Sequence, residues 1–427
     1  MTILLILVFV LGYAAIAFEH PLKIDKAAFA LITGVILWTI IITGAPDKHP
    51  VLDELSHHLG ELSGILFFLL GAMTIVELID AHGGFTIITS RINQTNKVKL
   101  LWTVSLIAFF LSAVLDNLTT TIVMVSLIRK LIRNPADRLF FAGMIVIAAN
   151  AGGAWSPIGD VTTTMLWIGN QITPFNITTR LFLPSLVSLV VPLLFLSFTL
   201  KGKVEPASRK SDDAEYSVRP ICRKIILFSG IGMLLMVPVF KTITHLPPYM
   251  GMLIGLGLLW ILTEILHKDQ DEEVKHSFSV AHALRRTDTP SILFFLGILI
   301  SIAALDSAGI LASAATWLSQ TIPSLSAIVL SIGLLSAIVD NVPLVAATMG
   351  MYDLSQFPTD HFFWEFLAYC AGTGGSILII GSAAGVAAMG MEKINFLWYL
   401  KKISLLALLG YFAGAGVYLL EEVLFHM

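Results

Sequence analysis

Charged residues are scarce in this sequence. Asp, Glu, Lys and Arg make up 13% of its 427 residues, against roughly 25% in a usual soluble domain. Too few charges remain to cover a surface that faces water, so an ordinary soluble fold is excluded. With only two cysteines, Cys222 and Cys370, a disulfide framework is excluded as well. The net charge is −3 and no basic run is interleaved with aromatics, which argues against nucleic acid as a partner.

The sequence is instead rich in apolar runs, since 56% of the residues are hydrophobic. A membrane-spanning helix needs about 20 mostly apolar residues. The sequence therefore predicts an all-α, polytopic membrane protein embedded in a lipid bilayer, with simple spans at 1–18, 26–44, 61–80, 180–200, 221–240, 249–267, 290–306 and 403–425. Polar residues or glycine interrupt the centres of four further apolar regions, at 100–130, 139–169, 325–351 and 362–391.

The positions of Lys and Arg orient these spans. If the N-terminus is outside and 100–130 enters and leaves on the cytoplasmic side, all but three of the 26 basic residues face the cytoplasm. Treating 100–130 as a full crossing would instead place the four basic residues of 129–138 outside. The same rule makes 325–351 re-entrant from the outside. Two hairpins that enter from opposite faces are therefore predicted.

The two halves of the sequence match in order at a nearly constant offset. The segment 112–117 corresponds to 336–341, and the glycine pair at 152–153 corresponds to that at 374–375. Each half has an odd number of crossings, so the second copy is predicted to be inverted, as in many secondary transporters. The predicted units are a first repeat 1–200 (hairpin 100–130, broken helix 139–169), a cytoplasmic linker 201–218, and a second repeat 219–427 (hairpin 325–351, broken helix 362–391).

Asp116 and Asp340 occupy equivalent places near the predicted hairpin tips, deep in the membrane. A charge at that depth costs about 2.5–3.5 kcal/mol on insertion scales, which makes a functional site the default hypothesis. The alternative is that each aspartate caps the helix that follows it, helped by Asn117 and Asn341. Capping and ion binding are compatible. We predict ion or proton binding at all four residues, with sodium at Asp116 and Asp340.

Further oxygen ligands lie beside these tips. Hard cations prefer oxygen, and the run 119–121 offers three hydroxyls, of which we predict Thr120 as a ligand; hydrogen bonds to its own helix are the alternative. The region 139–169 is about 46 Å long if fully helical, too long for a hydrocarbon core of about 30 Å. The breaks in the two interrupted spans place these candidates near the site: Asn150, Ser156, Asp160, Thr373, Ser376 and Ser382.

Other polar residues allow less specific predictions. Asp160 could serve only as a helix cap, and Glu77, near the inner end of its span, is either a proton relay or a side chain that extends to the interface. Asp80, Asp306 and His82 lie at predicted helix ends. No Lys or Arg falls within a predicted hairpin tip or helix break, so the three aspartates predict a cationic ligand. No resident cofactor is predicted.

Four motifs resemble the NhaD-type sodium/proton antiporters: 67–77, 112–121, 149–160 and 336–341. That family belongs to the ion transporter superfamily. The resemblance implies an elevator-type homodimer, with a scaffold domain and a mobile transport domain that holds the hairpins. It also implies a bacterial inner membrane. Dicarboxylate relatives carry Ser-Asn-Thr at the hairpin tips, whereas this sequence has Asp-Asn, a departure towards cations.

These features together predict a secondary active antiporter that exchanges Na⁺ (or Li⁺) for H⁺. Burial favours the protonated form of a carboxylate, so protons and sodium can compete for the same aspartate oxygens. The alternative within this fold is a sodium-coupled symporter of a dicarboxylate-like anion. A membrane enzyme would need a nucleophile–base pair or a metal set within the membrane, and the sequence offers none. A channel is disfavoured by the broken, inverted helices.

Overall fold

A computed structural model describes residues 1–17, 19–89, 92, 94–205, 219–322 and 324–425. The predicted linker 201–218 lies outside these residues from 206 onwards. Within the described ranges the regular secondary structure is helical, and an isolated β-bridge joins Asn96 to Lys203. The all-α prediction is therefore confirmed.

The first half contains ten helices within its described residues. They are α1 (Thr2–Ala17), α2 (Glu19–Leu22), α3 (Lys26–Gly44), α4 (His49–Ala81), α5 (Thr86–Thr89), α6 (Lys97–Leu115), α7 (Asn117–Leu131), α8 (Pro135–Ala154), α9 (Val161–Ile168) and α10 (Pro174–Thr199). Asn96 and Asn134 cap α6 and α8 by accepting backbone hydrogen bonds. Pro135 stands at the start of α8, where its missing N–H group costs nothing.

The second half contains twelve helices within its described residues. They are α11 (Pro220–Thr244), α12 (Pro248–Leu266), α13 (Glu272–Ser277), α14 (Val280–Arg286), α15 (Thr289–Ser307), α16 (Ile310–Thr321), α17 (Leu325–Leu335), α18 (Asn341–Met351), α19 (Phe362–Gly374), α20 (Ala383–Glu392), α21 (Phe396–Lys402) and α22 (Ser404–Phe425). Proline again opens several of the long helices, among them α11, α12 and α15.

Eight of the described helices are long and apolar enough to cross a membrane: α3, α4, α6, α10, α11, α12, α15 and α22. The prediction of a multi-pass membrane protein is confirmed by this number. The bounds differ in places, because α4 starts at His49, well before the predicted span 61–80, and α1 has only 16 residues. With 19 residues α6 could cross alone, so its length does not distinguish a hairpin from a crossing.

Each of the four interrupted regions contains a break between two helices. Asp116 alone separates α6 from α7, while longer breaks separate α8 from α9 (155–160), α17 from α18 (336–340) and α19 from α20 (375–382). The backbone of Asp116 has φ 106° and ψ 161°. This conformation costs a residue other than glycine about 1–3 kcal/mol. The residue interrupts the helical backbone, and α6 and α7 contact each other across it.

The long helices pack into two groups. The first helix group contains α1, α3, α4, α11, α12 and α15, with close packing of α3 on α15 and of α4 on α12. The second helix group contains α6 to α10, α17 to α20 and α22, with α10 packed on α22 and α6 on α8. The groups meet where α15 contacts α18 and where α4 contacts α9. All four helix breaks belong to the second group.

Glycine allows close packing at equivalent points of the two halves. A Cβ on Gly152 would lie 2.1 Å from the carbonyl oxygen of Phe109, and a Cβ on Gly374 would lie 2.1 Å from that of Gly333. In each case a broken helix touches the backbone of the helix that precedes its neighbouring break. Nearby, Ser112 Oγ donates to the Ala149 carbonyl at 2.6 Å. Ser336 Oγ likewise lies within hydrogen-bond distance of the Ala371 carbonyl, at 3.1 Å, as well as of the Gly333 carbonyl, at 2.8 Å.

Candidate functional site

A buried carboxylate forms the centre of a polar cluster within the second helix group. Asp160 is 1% exposed. Asn117 donates from Nδ2 to Asp160 Oδ2 at 2.7 Å, and Asn341 donates from Nδ2 to the same oxygen at 3.3 Å. Because Asn117 begins α7 and Asn341 begins α18, the starts of both helices converge on one side chain. The structure thus brings three predicted residues together from distant parts of the chain.

Asn150 extends this cluster to the second half. Its Oδ1 accepts a hydrogen bond from Asn117 Nδ2 at 3.0 Å. Its Nδ2 donates to Ser376 Oγ and to Ser382 Oγ, each at 2.9 Å. All of these side chains are buried, so the hydrogen bonds replace water for groups that would be costly to leave unpaired. One amide of α8 therefore joins the start of α7 to the break between α19 and α20.

Four helices start at the cluster, and each is capped by a predicted site residue. Asp116 caps α7, Asp160 caps α9, Asp340 caps α18 and Ser382 caps α20, each by accepting a backbone N–H. A helix N-terminus carries roughly half a positive charge. These four helix N-termini add positive potential to a site for which the aspartates alone predict a cationic ligand. Three of the four caps are carboxylates, however, which offset this positive potential.

Asp116 uses both carboxylate oxygens within its own helix start. Thr119 donates to Asp116 Oδ1 from its backbone N and to Oδ2 from its hydroxyl, each at 2.8 Å. The hydroxyl oxygens of Thr120 and Thr121, one turn inside α7, are buried and have no hydrogen-bond partner among the described residues. Thr120 thus presents an unsatisfied oxygen close to the tip, as a ligand position requires.

The hydroxyls of two other predicted site residues donate to backbone carbonyls. Ser156 Oγ donates to the Ala113 carbonyl, and Thr373 Oγ1 donates to the Tyr369 carbonyl at 2.6 Å. Both residues are buried beside the helix breaks. Their hydrogen bonds fix the break between α8 and α9 and the end of α19. Neither donates to the carboxylate of Asp160.

Asp340 is paired with a lysine that sequence reasoning did not place near the site. Lys26 Nζ lies 3.2 Å from Asp340 Oδ2, and the two side chains are 20% and 13% exposed. Lys26 begins α3 in the first helix group, whereas Asp340 precedes α18 in the second. Although no Lys or Arg lies within a predicted hairpin tip, a lysine from another helix reaches Asp340. Lys26 stands at the very start of a span, and no sequence signal links it to a residue more than 300 positions away.

Glu77 also has a basic partner, because Arg286 Nε lies 2.9 Å from Glu77 Oε1. Both line a cavity of about 120 Å³ that reaches Thr119, the residue bonded to Asp116. A second cavity of about 530 Å³ shares part of this lining and is also lined by Lys130 and Arg223. The residues common to both cavities are Asp80, Ile122, Val123 and Arg286.

A histidine pair lies beyond the inner end of α4. His82 Nε2 is 3.0 Å from His267 Nε2, and His82 Nδ1 is 2.7 Å from the Leu78 carbonyl. The carbonyl requires a proton on Nδ1, so Nε2 of neutral His82 can only accept, while His267 Nδ1 lies 2.9 Å from Gln270 Oε1. Burial, together with this neighbouring imidazole, lowers the pKa of His82 to about 4. The sequence placed His82 at a helix end but gave no indication of its partner.

Buried polar side chains gathered at helix breaks inside an apolar helical chain define the class as a multi-pass membrane transporter. The family model described as "Citrate transporter" matches residues 3–357. Sodium/proton antiporter 1 of Arabidopsis thaliana is 52% identical over 413 residues, which cover 97% of this chain and 71% of that protein. The Na(+)/H(+) antiporter NhaD of Alkalimonas amylolytica is 31% identical over 456 residues, with coverage of 99% and 91%.

The chain therefore belongs to this transporter family, among the NhaD-type sodium/proton antiporters. The resemblance drawn from the four motifs is confirmed, as is the prediction of a secondary transporter in preference to an enzyme. The fold is similar to the crystal structure of the Alcanivorax borkumensis YdaH transporter, with a TM-score of 0.51, 13% identity, and coverage of 92% of this chain and 95% of that chain. This likeness concerns the fold alone.

Proposed function

We propose that this chain is a secondary active antiporter that exchanges Na⁺ or Li⁺ for H⁺ across a membrane. Relatives that cover nearly the whole chain are named sodium/proton antiporters. The observation that carries the proposal is the buried carboxylate of Asp160, held between Asn117 and Asn341 where the helix breaks meet.

The exchange follows from the cost of burying a charge. An ionised carboxylate removed from water needs a bound cation or a proton to neutralise it. Asp160 and Asp116 supply carboxylate oxygens, and the unpartnered hydroxyl of Thr120 adds a neutral oxygen that a small hard cation would satisfy. A proton and a sodium ion compensate the same charge, so binding of one displaces the other. In this arrangement sodium reaches Asp340 only when Lys26 has left it.

The proposed architecture has two inverted repeats, 1–200 and 219–427, each with one re-entrant hairpin and one broken helix. The matching glycine contacts of Gly152 and Gly374 support it, as do the matching hydrogen bonds of Ser112 and Ser336. An odd number of crossings per repeat requires the inversion.

In the proposed cycle the second helix group moves as the transport domain and the first is the scaffold. Ion pairs favour movement as a unit, since Arg129 of α7 and Arg138 of α8 both bind Glu392 of α20, at 2.7 and 3.0 Å. A homodimer and a bacterial inner membrane remain predictions from the resemblance. The 52% identity to a plant protein leaves the organism open, and the multi-pass character does not depend on it.

The alternative, a sodium-coupled symporter of a dicarboxylate-like anion, has specific support of its own. The matching family model is described as a citrate transporter, and Lys26 together with four helix N-termini supplies positive potential at the cluster. Carboxylate caps on three of these helices favour the cation, because a carried anion would lie beside Asp116, Asp160 and Asp340.

Purified protein in vesicles separates the two functions. An outward gradient of Na⁺ should drive proton uptake, detected by an entrapped pH-sensitive dye, and Li⁺ should replace Na⁺ while choline should not. Labelled citrate and succinate should not accumulate when the gradient is reversed, so that Na⁺ flows inward. Sodium-dependent accumulation of either acid, with no proton movement, would establish the symporter instead.

A further inference from the structure

We propose that Lys26 is a built-in counter-cation that neutralises Asp340, so that this aspartate needs no transported ion in the arrangement seen here. The inference rests on the proposed exchange function and concerns the charge balance of its site. It assigns the second hairpin aspartate a partner from the protein itself, and leaves the transported cation to Asp116 and Asp160.

The ammonium group of Lys26 is positioned by two contacts. Its ammonium lies 3.2 Å from Asp340 Oδ2 and 4.2 Å from the centroid of the Phe294 ring. Phe294 is fully buried in α15, and its ring face attracts a cation. The side chain of Lys26 is only 20% exposed, so its charge has lost most of its water. An ammonium in that position is stable only while an anion compensates it.

The charge of Asp340 likewise depends on the contact with Lys26 for its compensation. Its other oxygen, Oδ1, accepts only a long hydrogen bond of 3.4 Å from the Val342 backbone N. The next residue, Asn341, donates to Asp160, so Asp340 directly precedes a hydrogen-bond partner of the central carboxylate. Tyr13 of α1 is near enough to interact with it electrostatically. Without Lys26, the cluster would contain a third carboxylate to be neutralised by a proton or a sodium ion.

The pair also crosses the boundary between the helix groups. Lys26 and Phe294 belong to the first group, and Asp340 belongs to the second. If the second group moves relative to the first, the ammonium and the carboxylate separate. The desolvated ion pair therefore stabilises the state in which Lys26 and Asp340 are in contact. When Lys26 moves away, Asp340 becomes accessible to a different cation.

The test is a charge-balance cycle in vesicles, with the sodium half-saturation and the maximal rate measured separately. D340N leaves the Lys26 ammonium unpaired, so its half-saturation for Na⁺ should rise by on the order of tenfold, as expected for one uncompensated charge nearby at an effective dielectric of about 20. The double variant K26Q/D340N removes both charges and should return to within about threefold of the wild type. A purely structural role for the pair would lower the amount of folded protein without this reciprocal change in affinity.

Two further variants complete the design. K23Q removes an exposed lysine on the same cytoplasmic segment and should match the wild type. K26M/D340N replaces K26Q/D340N in the experiment if the latter does not reach the membrane. An inactive double variant at normal expression would overturn the inference and make Asp340 an obligatory ligand, and an unchanged half-saturation in D340N would overturn it as well. Absence of exchange in the wild type would instead refute the proposed function.

Discussion

Asn117 donates from Nδ2 to Asp160 Oδ2 at 2.7 Å, which is the shortest contact between a helix start and the central carboxylate. The same nitrogen reaches Asn150 Oδ1 at 3.0 Å. The amide of Asn117 thus binds both the carboxylate of Asp160 and the amide of Asn150, which links the two interrupted spans. Any change in the charge of Asp160 should therefore be transmitted to the whole cluster.

Asp160→Asn keeps the size of the side chain and its ability to cap α9, but removes the charge. We expect normal insertion and a loss of at least about nine-tenths of the exchange rate, which corresponds to about 1.4 kcal/mol. Asp53→Asn, at an exposed position near the start of α4, is the matched control. Near-normal exchange by Asp160→Asn would show that this residue acts only as a helix cap.

Competition between sodium and protons predicts a pH-dependent sodium affinity. Below the pH at which the buried aspartates lose their protons, each further unit of acidification should weaken sodium binding by up to about tenfold per proton displaced. At higher pH the half-saturation should become constant, because no proton remains to be displaced. The measurement is sodium half-saturation in vesicles from about pH 6 to 9.5; a constant value throughout would contradict direct competition.

Gly152→Ala should prevent correct packing of α8 on α6. The added methyl would lie 2.1 Å from the Phe109 carbonyl oxygen, and overpacking of this kind costs about 1–3 kcal/mol or more. We expect a lower yield of folded protein and a lower melting temperature in detergent. Gly257→Ala in α12, where nothing lies within 4 Å of the new methyl, should be neutral or slightly stabilising. Equal melting temperatures for both variants would show that α6 and α8 do not approach so closely.

The His82–His267 contact predicts acid sensitivity. The folded protein lowers the pKa of His82 from 6.5 to about 4, so between these values the unfolded chain binds more protons. The stabilisation is complete above about pH 6.5 and is lost as the pH falls towards 4, at up to about 1.4 kcal/mol per pH unit. Melting curves should show this slope in the wild type and a smaller one in His82→Gln. The exposed His57→Gln should retain the full slope, and an equal slope in all three would contradict the assignment.

Cysteine labelling tests the two hairpins. Ala136→Cys, in the first turn of α8, should react from the cytoplasm, and Gln356→Cys, in the loop after α18, should react from outside. Both positions are exposed, and the native Cys222 and Cys370 are buried, so background labelling should be low. Reaction of both new cysteines from one face would refute the inverted architecture.

Much of this molecule could be predicted from local pattern. Apolar runs revealed the spans, and Asp116 and Asp340 were identified because charge inside such runs is expensive. Contacts between distant segments left no such trace. Lys26 was placed at the cytoplasmic end of a span, where a basic residue usually faces water. The partner of Glu77, Arg286, could not be predicted from its place in a polar segment.

The residues that the cluster brings together were predicted more successfully than their roles. Asn150 and Ser376 were both named as ligands, yet each bonds to the other across 226 positions. Ser156 and Thr373 bond to backbone carbonyls, which a hydroxyl beside a helix break does as readily as binding an ion. Residue type restricts the chemistry, but only the packing of α8 against α19 decides which group faces which.

The bridging position of Asn150 makes the two matching segments of the sequence unequal. At the offset of the glycine pairs its counterpart is Gly372, where even a Cβ would come within 3.1 Å of the Cβ of Ala154. A side chain longer than glycine at 372 would therefore press against Ala154, so the amide stands at 150 alone. The segment with the amide also carries the aspartate at 160, whereas a serine stands at the matching position 382. The polar cluster thus has one central carboxylate and two unequal sides.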